Sequence, residues 1–115
     1  MFTNKQEYVN FCQDKSREFL KSHKYLLRYM KNKHGHKTGV VLIALLDNTE
    51  GRSMLFFGWS KCHVGLDTFN KWIGIYKAIQ RLEDPTAKLP SSFEDAFNDM
   101  TLRARHYFKQ ISFEG

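Results

Sequence analysis

From Tyr25 to Met30 the side chains alternate, with Leu26, Arg28 and Met30 on one side and Tyr25, Leu27 and Tyr29 on the other. A period of two is that of a β-strand, although so short a run also suits a helix end. The turn-forming Asn32-Lys33-His34-Gly35 follows, and then Gly39-Val-Val-Leu-Ile-Ala-Leu-Leu46, which is apolar at successive positions rather than alternate ones. Such a run, rich in β-branched and aliphatic residues, predicts a strand covered on both faces. Asp47-Asn48-Thr49-Glu50-Gly51 supplies turn residues, and Ser53 to Trp59 reads as the next strand. Three antiparallel strands in a meander over residues 24–60 are the simplest arrangement.

Helical spacing flanks this block. Residues 3–22 read as a helix, with Thr3 and Gln6 spaced like a capping box and Tyr8, Cys12, Phe19 and Leu20 near one face. That stripe is thin, which predicts peripheral packing or packing against another subunit. Over 67–83, Phe69, Trp72, Ile73, Tyr76, Ile79 and Leu82 recur at three- and four-residue spacing after a cap at Asp67 or Thr68, and Gly74 allows a close backbone approach. Asp84-Pro85 ends that helix. Over 91–111, Ser91 and Glu94 form a capping box before the stripe Phe93, Ala96, Phe97, Met100, Ala104, Tyr107, Phe108 and Ile111. The order α-β-β-β-α-α predicts one α+β domain over 1–115, a small three-stranded sheet packed by helices in two layers. The second sheet face then needs cover, from oligomerisation or from the N-terminal helix.

Composition adjusts this picture in three ways. Aromatic residues make up 15% of the chain, with ten Phe, a surplus that suggests rings lining a self-association surface or a flat ligand. Eighteen basic against 12 acidic residues give a net charge of +6, which favours anionic partners. Cys12 and Cys62 lie in unlike surroundings and are too few for a disulfide framework, which predicts a reducing compartment. No apolar run approaches the roughly 20 residues of a membrane span, and the N-terminus has no secretory pattern, so the expected place is the cytoplasm.

Candidate chemistry concentrates in Gly58 to Arg81, where strand gives way to helix and Trp59, Ser60, Lys61, Cys62, His63, Asp67 and Asn70 share one edge. Cys62, His63, His34 and His36 are zinc-ligand types without the tight paired spacing that zinc sites show, and no metal is expected. Cys62-His63 and Ser60 do not make a nucleophile–base pair by adjacency, because neighbours in an extended segment face opposite ways. With no G-x-S-x-G, H-E-x-x-H, phosphate loop or G-x-G-x-x-G, neither an enzyme nor a cofactor is expected. At the helix entry, Asp67 caps or the exposed N–H groups bind a phosphate, with Phe69 in the core or at a ligand, Lys61 and Lys71 adding charge and Asn70 reading a base or ribose. On the last helix Arg103, Arg105, His106 and Lys109 form either a solvated charged face, with Asp99 pairing to Arg103, or a phosphate clamp. Trp59, after a glycine near a strand end, is the ring with the strongest claim to stacking, whereas Trp72 and Tyr76 have core spacing.

The motifs G-V-V-L-I-A-L at 39–45, G-W-S-K-C at 58–62, D-T-F-N-K-W-I-G-I-Y-K-A-I-Q-R at 67–81 and L-P-S-S-F-E…R-A-R-H-Y-F-K at 89–109 resemble the first-described anti-Thoeris sponge family of small bacteriophage proteins. The resemblance covers about residues 38–110 and leaves the N-terminal helix outside. It implies a non-catalytic homo-oligomer, dimer to hexamer, that sequesters cyclic ADP-ribose-type signals, in some members cyclic oligonucleotides, in the cytoplasm of the infected host. Chemistry, rather than the family, nominates Trp59, Lys61, Phe69, Asn70, Lys71, Arg103 and Arg105 as ligand-binding. The competing expectation is a basic inhibitor or accessory protein that binds nucleic acid or a host protein.

Overall fold

The computed structural model describes residues 2–47, 50–62, 69–82, 84 and 88–108. Helix α1 (Lys5–Ser22) leads into strands β1 (Tyr25–Lys31), β2 (Lys37–Asp47) and β3 (Ser53–Lys61), followed by helix α2 (Lys71–Arg81), a 3₁₀ turn (Ser91–Phe93) and helix α3 (Glu94–Tyr107). The strands form one antiparallel sheet in the order β1-β2-β3. This is the α+β arrangement that the hydrophobic pattern predicts, with the meander in place.

The central strand explains the layering. Val40, Leu42 and Ala44 point to one side, where Ile75, Ala78 and Leu82 of α2 close over them with Leu27, Phe19 and Leu20 beside. Val41 and Ile43 point to the other side and meet Phe93, Ala96, Met100 and Ala104, with Leu26, Met30 and Phe57 around them. Burying a branched aliphatic side chain stabilises by about 1.5–3 kcal/mol, so neither face of β2 can stay bare at small cost. The two-layer expectation is therefore corrected to three layers. Helix α3 covers the second face from within the chain, while α1 lies against α2. The thin stripe of α1 suits that outer position, with Cys12 and Ser16 fully buried there.

Local chemistry sets the ends, in places differently from the expectation. Asn4, not Thr3, caps α1: its side chain accepts from the Glu7 N–H at 2.9 Å, and Glu7 accepts from the Thr3 N–H at 2.8 Å. Strand β3 runs through Gly58 and past the expected Trp59 to Lys61. Gly58 is where α2 sits down on the sheet, because a Cβ there would overlap the carbonyl of Ala78. Helix α2 begins at Lys71, later than the expected 67, and Asn70 caps it; Asp67 and Thr68 lie outside the described residues. Ile75 and Ala78 form its innermost face, whereas Trp72, Ile73, Tyr76 and Ile79 are half-buried, because the helix is covered by α1 as well as by the sheet. No side-chain cap forms at Ser91 or at the start of α3, so the expected capping box is absent and the chain enters through the 3₁₀ turn. Tyr107 is 68% exposed and leaves the predicted stripe, and Ile111 falls outside the described residues.

Candidate functional site

The end of the sheet holding the β1–β2 turn, the close of β3 and the start of α2 collects most of the candidate chemistry. The turn is built by Asn32, whose side-chain oxygen accepts from the N–H groups of His34 and His36 at 2.9 and 3.0 Å. Gly35 takes φ +81°, a conformation that favours glycine. After this turn Met30 pairs with Gly39, but Lys31 pairs with Lys37, leaving Thr38 as an extra residue on β2. That bulge reverses the alternation at Lys37. Lys37 consequently shares the α2 side with Tyr29, and its Nζ stands 4.3 Å from the centre of the Tyr29 ring.

Phe69 meets the same Tyr29 edge to face, with ring centres 6.2 Å apart. Next to it, the Asn70 side-chain oxygen accepts from the N–H groups of Trp72 and Ile73 at 3.0 and 3.1 Å. This satisfies two of the donors that a helix start leaves open. Lys71 lies over the Trp72 ring at 4.7 Å and Arg17 of α1 at 5.1 Å. Gly74 brings this first turn close to β3, since a Cβ there would stand 3.2 Å from the Ser60 hydroxyl. Lys31, Lys37 and Lys71 are exposed and form no ion pair with a described carboxylate. Burial pushes the Tyr29 phenol above its usual range, so it stays neutral beneath Lys37.

The structure thus brings Phe69, Asn70 and Lys71 together, with Phe69 packed into the core edge and Asn70 acting as the cap. Trp59 is elsewhere. It faces α3, packs edge to face on Phe93 at 6.1 Å, and has the guanidinium of Arg81 over its ring at 4.2 Å. Arg81 reaches around the free edge of β3 and donates to the Trp59 carbonyl at 2.9 Å. The Trp59 indole N–H is buried with no acceptor among the described residues. By strand alternation Lys61 follows Trp59 to the α3 side, exposed at the strand end. Arg103 and Arg105 are exposed on α3; Asp99 accepts from Arg103 at 3.2 Å, the i,i+4 pair expected, and from Arg28 of β1 at 3.0 Å. One sheet therefore separates Trp59, Lys61, Arg103 and Arg105 from Phe69, Asn70 and Lys71.

Tyr29, Lys31, Lys37, Arg17 and Arg81 did not stand out in the sequence. Lys37 needed the bulge, which no residue type announces, Tyr29 and Lys31 gained meaning only beside it, and the two arginines needed the packing of helices. Among the described residues no three His, Cys, Asp or Glu side chains converge as a metal would require, and His34 and His36 have ring centres 6.3 Å apart. His63 lies outside the described residues. Ser60 is buried under α2, and burial raises the Cys12 thiol, which disfavours the thiolate. No family model, curated protein or solved structure matches the chain.

Proposed function

We propose that the protein is a non-catalytic binding protein that sequesters a small phosphorylated ligand of the cyclic ADP-ribose type, at the end of the sheet where α2 begins. The observation that carries this reading is the set of cations laid on rings that form no ion pair with a described carboxylate: Lys37 on Tyr29, and Lys71 and Arg17 on Trp72. A lysine ammonium resting on a ring keeps its outward N–H donors for an anion, while Arg17 also donates to the side-chain oxygen of Gln13. The Asn70 amide nitrogen, not used in the cap, adds a donor suited to a ribose or base. Sequestration requires tight binding of the ground state and no acid–base pair.

Small-ligand sites bury most of the ligand surface. The exposed lysines here supply only one wall, and a second copy of the chain would supply the other. The resemblance to the sponge family supports the same reading, and with it action in the cytoplasm of an infected bacterium.

Gel filtration combined with a thermal-shift screen tests the proposal. Cyclic ADP-ribose at 100 times its dissociation constant should stabilise the fold by about 2.7 kcal/mol, shift the elution toward an oligomer, and be recovered chemically unchanged after heating. Turnover of the ligand would refute sequestration. Binding of DNA that collapses with salt, beside silence toward nucleotides, would replace it with the nucleic-acid reading.

A further inference from the structure

We propose that the bulge at Thr38 builds a phosphate subsite in which Lys37, resting on the Tyr29 ring, and Lys31, its cross-strand partner, hold a phosphoryl group from two sides. This deepens the ligand-binding reading and rests on it. In regular antiparallel pairing Lys31 would oppose Thr38, and Lys37 would point to the α3 face. The two-for-one step between Met30/Lys31 and Gly39/Lys37 instead puts the two lysines directly across from each other. Like charges in that position destabilise a sheet. No described carboxylate forms an ion pair with either of them.

Tyr29 accounts for the position of Lys37 but not for the charge of Lys31. An extra residue that turns a cation toward a second, like-charged one is what a bound anion between them would explain. Bulges are over-represented beside active sites, where they re-aim a side chain. A phosphoryl group suits the pair, because each ammonium offers three donors from a compact charge and the Tyr29 ring beneath Lys37 competes for none of them as an anion would. The rest of the ligand then extends toward Phe69, Asn70 and Trp72, where α2 begins.

Cyclic ADP-ribose is titrated calorimetrically into the full chain and into Lys37→Gln, Lys31→Gln, Lys37→Arg and a Thr38 deletion, with circular dichroism and thermal melting as folding controls. The expected result is an affinity loss of at least about tenfold, or 1.4 kcal/mol, for each Gln variant. Their unliganded melting temperatures should equal or exceed that of the parent, since repulsion is relieved. Lys37→Arg should retain binding, and a folded Thr38 deletion should lose it with both lysines still present. If that deletion does not fold, Lys37→Gln decides. Parental affinity in both Gln variants overturns the subsite while leaving nucleotide binding intact. If the parent does not bind cyclic ADP-ribose, inorganic pyrophosphate replaces it as the probe. Pyrophosphate binding that Lys37→Gln abolishes upholds the subsite and sinks the nucleotide reading, and silence toward pyrophosphate overturns both.

Discussion

On the α3 side of the sheet two of the cations share one carboxylate. Arg28 from β1 and Arg103 from α3 converge on the single carboxylate of Asp99. On the α2 side the cations rest on aromatic rings instead, at 4.3 to 5.1 Å from the ring centres. Both faces bury similar aliphatic cores from the same three strands, so hydrophobic burial does not distinguish them. What differs is how most of the cations are held: on the α3 side only Arg81 rests on a ring, that of Trp59, whereas Arg28 and Arg103 meet a carboxylate. Arg28 and Arg103, already on a carboxylate, gain little from an anion, whereas Lys37 and Lys71, which form no ion pair with a described carboxylate, still offer their charge.

The largest expected effect tests how closely α2 is seated on the sheet. Gly58→Ala forces a methyl against the carbonyl of Ala78, backbone against backbone, with no flexible side chain to yield. We expect more than about 4 kcal/mol of destabilisation, the exceptional end of the range for single substitutions, or failure to fold, read by denaturant melting. Gly74→Ala, whose Cβ meets Val40 Cγ2 at 3.0 Å and the Ser60 hydroxyl at 3.2 Å, should cost far less, because side chains can shift. Equal effects would mean that α2 is not seated on β3 at Gly58.

The second effect concerns the clasp that joins the two sides. Trp59→Ala removes the ring between Phe93 and Arg81 and should cost about 3 kcal/mol, near the lower end for large aromatic truncations, because Trp59 is only partly buried. Arg81→Ala should cost about 1 kcal/mol through the cation–ring contact and the bond to the Trp59 carbonyl. The double variant should be less destabilised than the sum. Neither change should alter cyclic ADP-ribose affinity tenfold, since Trp59 faces away from the lysine-bearing end. A selective loss of binding by Trp59→Ala would move the site to the α3 face.

How far the sequence reveals this difference depends on the range of the interactions involved. The alternation in β1 is a local property, and it sorts Leu26, Arg28 and Met30 from Leu27 and Tyr29 as the structure does. The unbroken apolar run in β2 correctly demands two covered faces. Nothing local says which helix supplies each cover, so α3 as the second lid becomes visible only in the packing. The candidate site is legible in part for the same reason. Phe69, Asn70 and Lys71 are adjacent in sequence and stay together, whereas grouping them with Trp59 requires the parity of β3, which sends Trp59 through the sheet plane. Lys37 is hidden more deeply, because a single unpaired residue reverses its side and every type at 37–39 is compatible with regular pairing. The sequence reading gives the cap to Asp67 or Thr68 and a ligand role to Asn70, yet Asn70 is a cap type of the same quality, competes with them and takes the position.

That competition makes Asn70 a useful third test. Asn70→Ala leaves the N–H groups of Trp72 and Ile73 without their acceptor and should destabilise the fold by about 1 kcal/mol, whereas Asn70→Ser should restore most of the loss. Asn70→Asp should preserve stability, since a carboxylate also caps and favours the positive end of the helix, yet weaken capture of cyclic ADP-ribose by placing a negative charge beside Lys71. A drop in melting temperature for Asn70→Asp equal to that of Asn70→Ala would show that the cap does not operate.

The smallest effect returns to the α3 face. Asp99→Asn removes the carboxylate shared by Arg28 and Arg103, both substantially exposed, and exposed pairs contribute about 0–1 kcal/mol each. Stability should therefore fall by less than about 1 kcal/mol, and the deficit should shrink as salt is raised and the charges are screened. The sharper readout is anion binding. If charge neutralisation is what separates the faces, Asp99→Asn frees two guanidinium groups on the α3 side, and inorganic pyrophosphate should gain a weak, salt-sensitive second site that the parent does not have. Calorimetry that finds the stoichiometry unchanged would mean that loose cations alone do not make a site here, and that the rings beneath Lys37, Lys71 and Arg17 are what hold those groups in a receptive geometry.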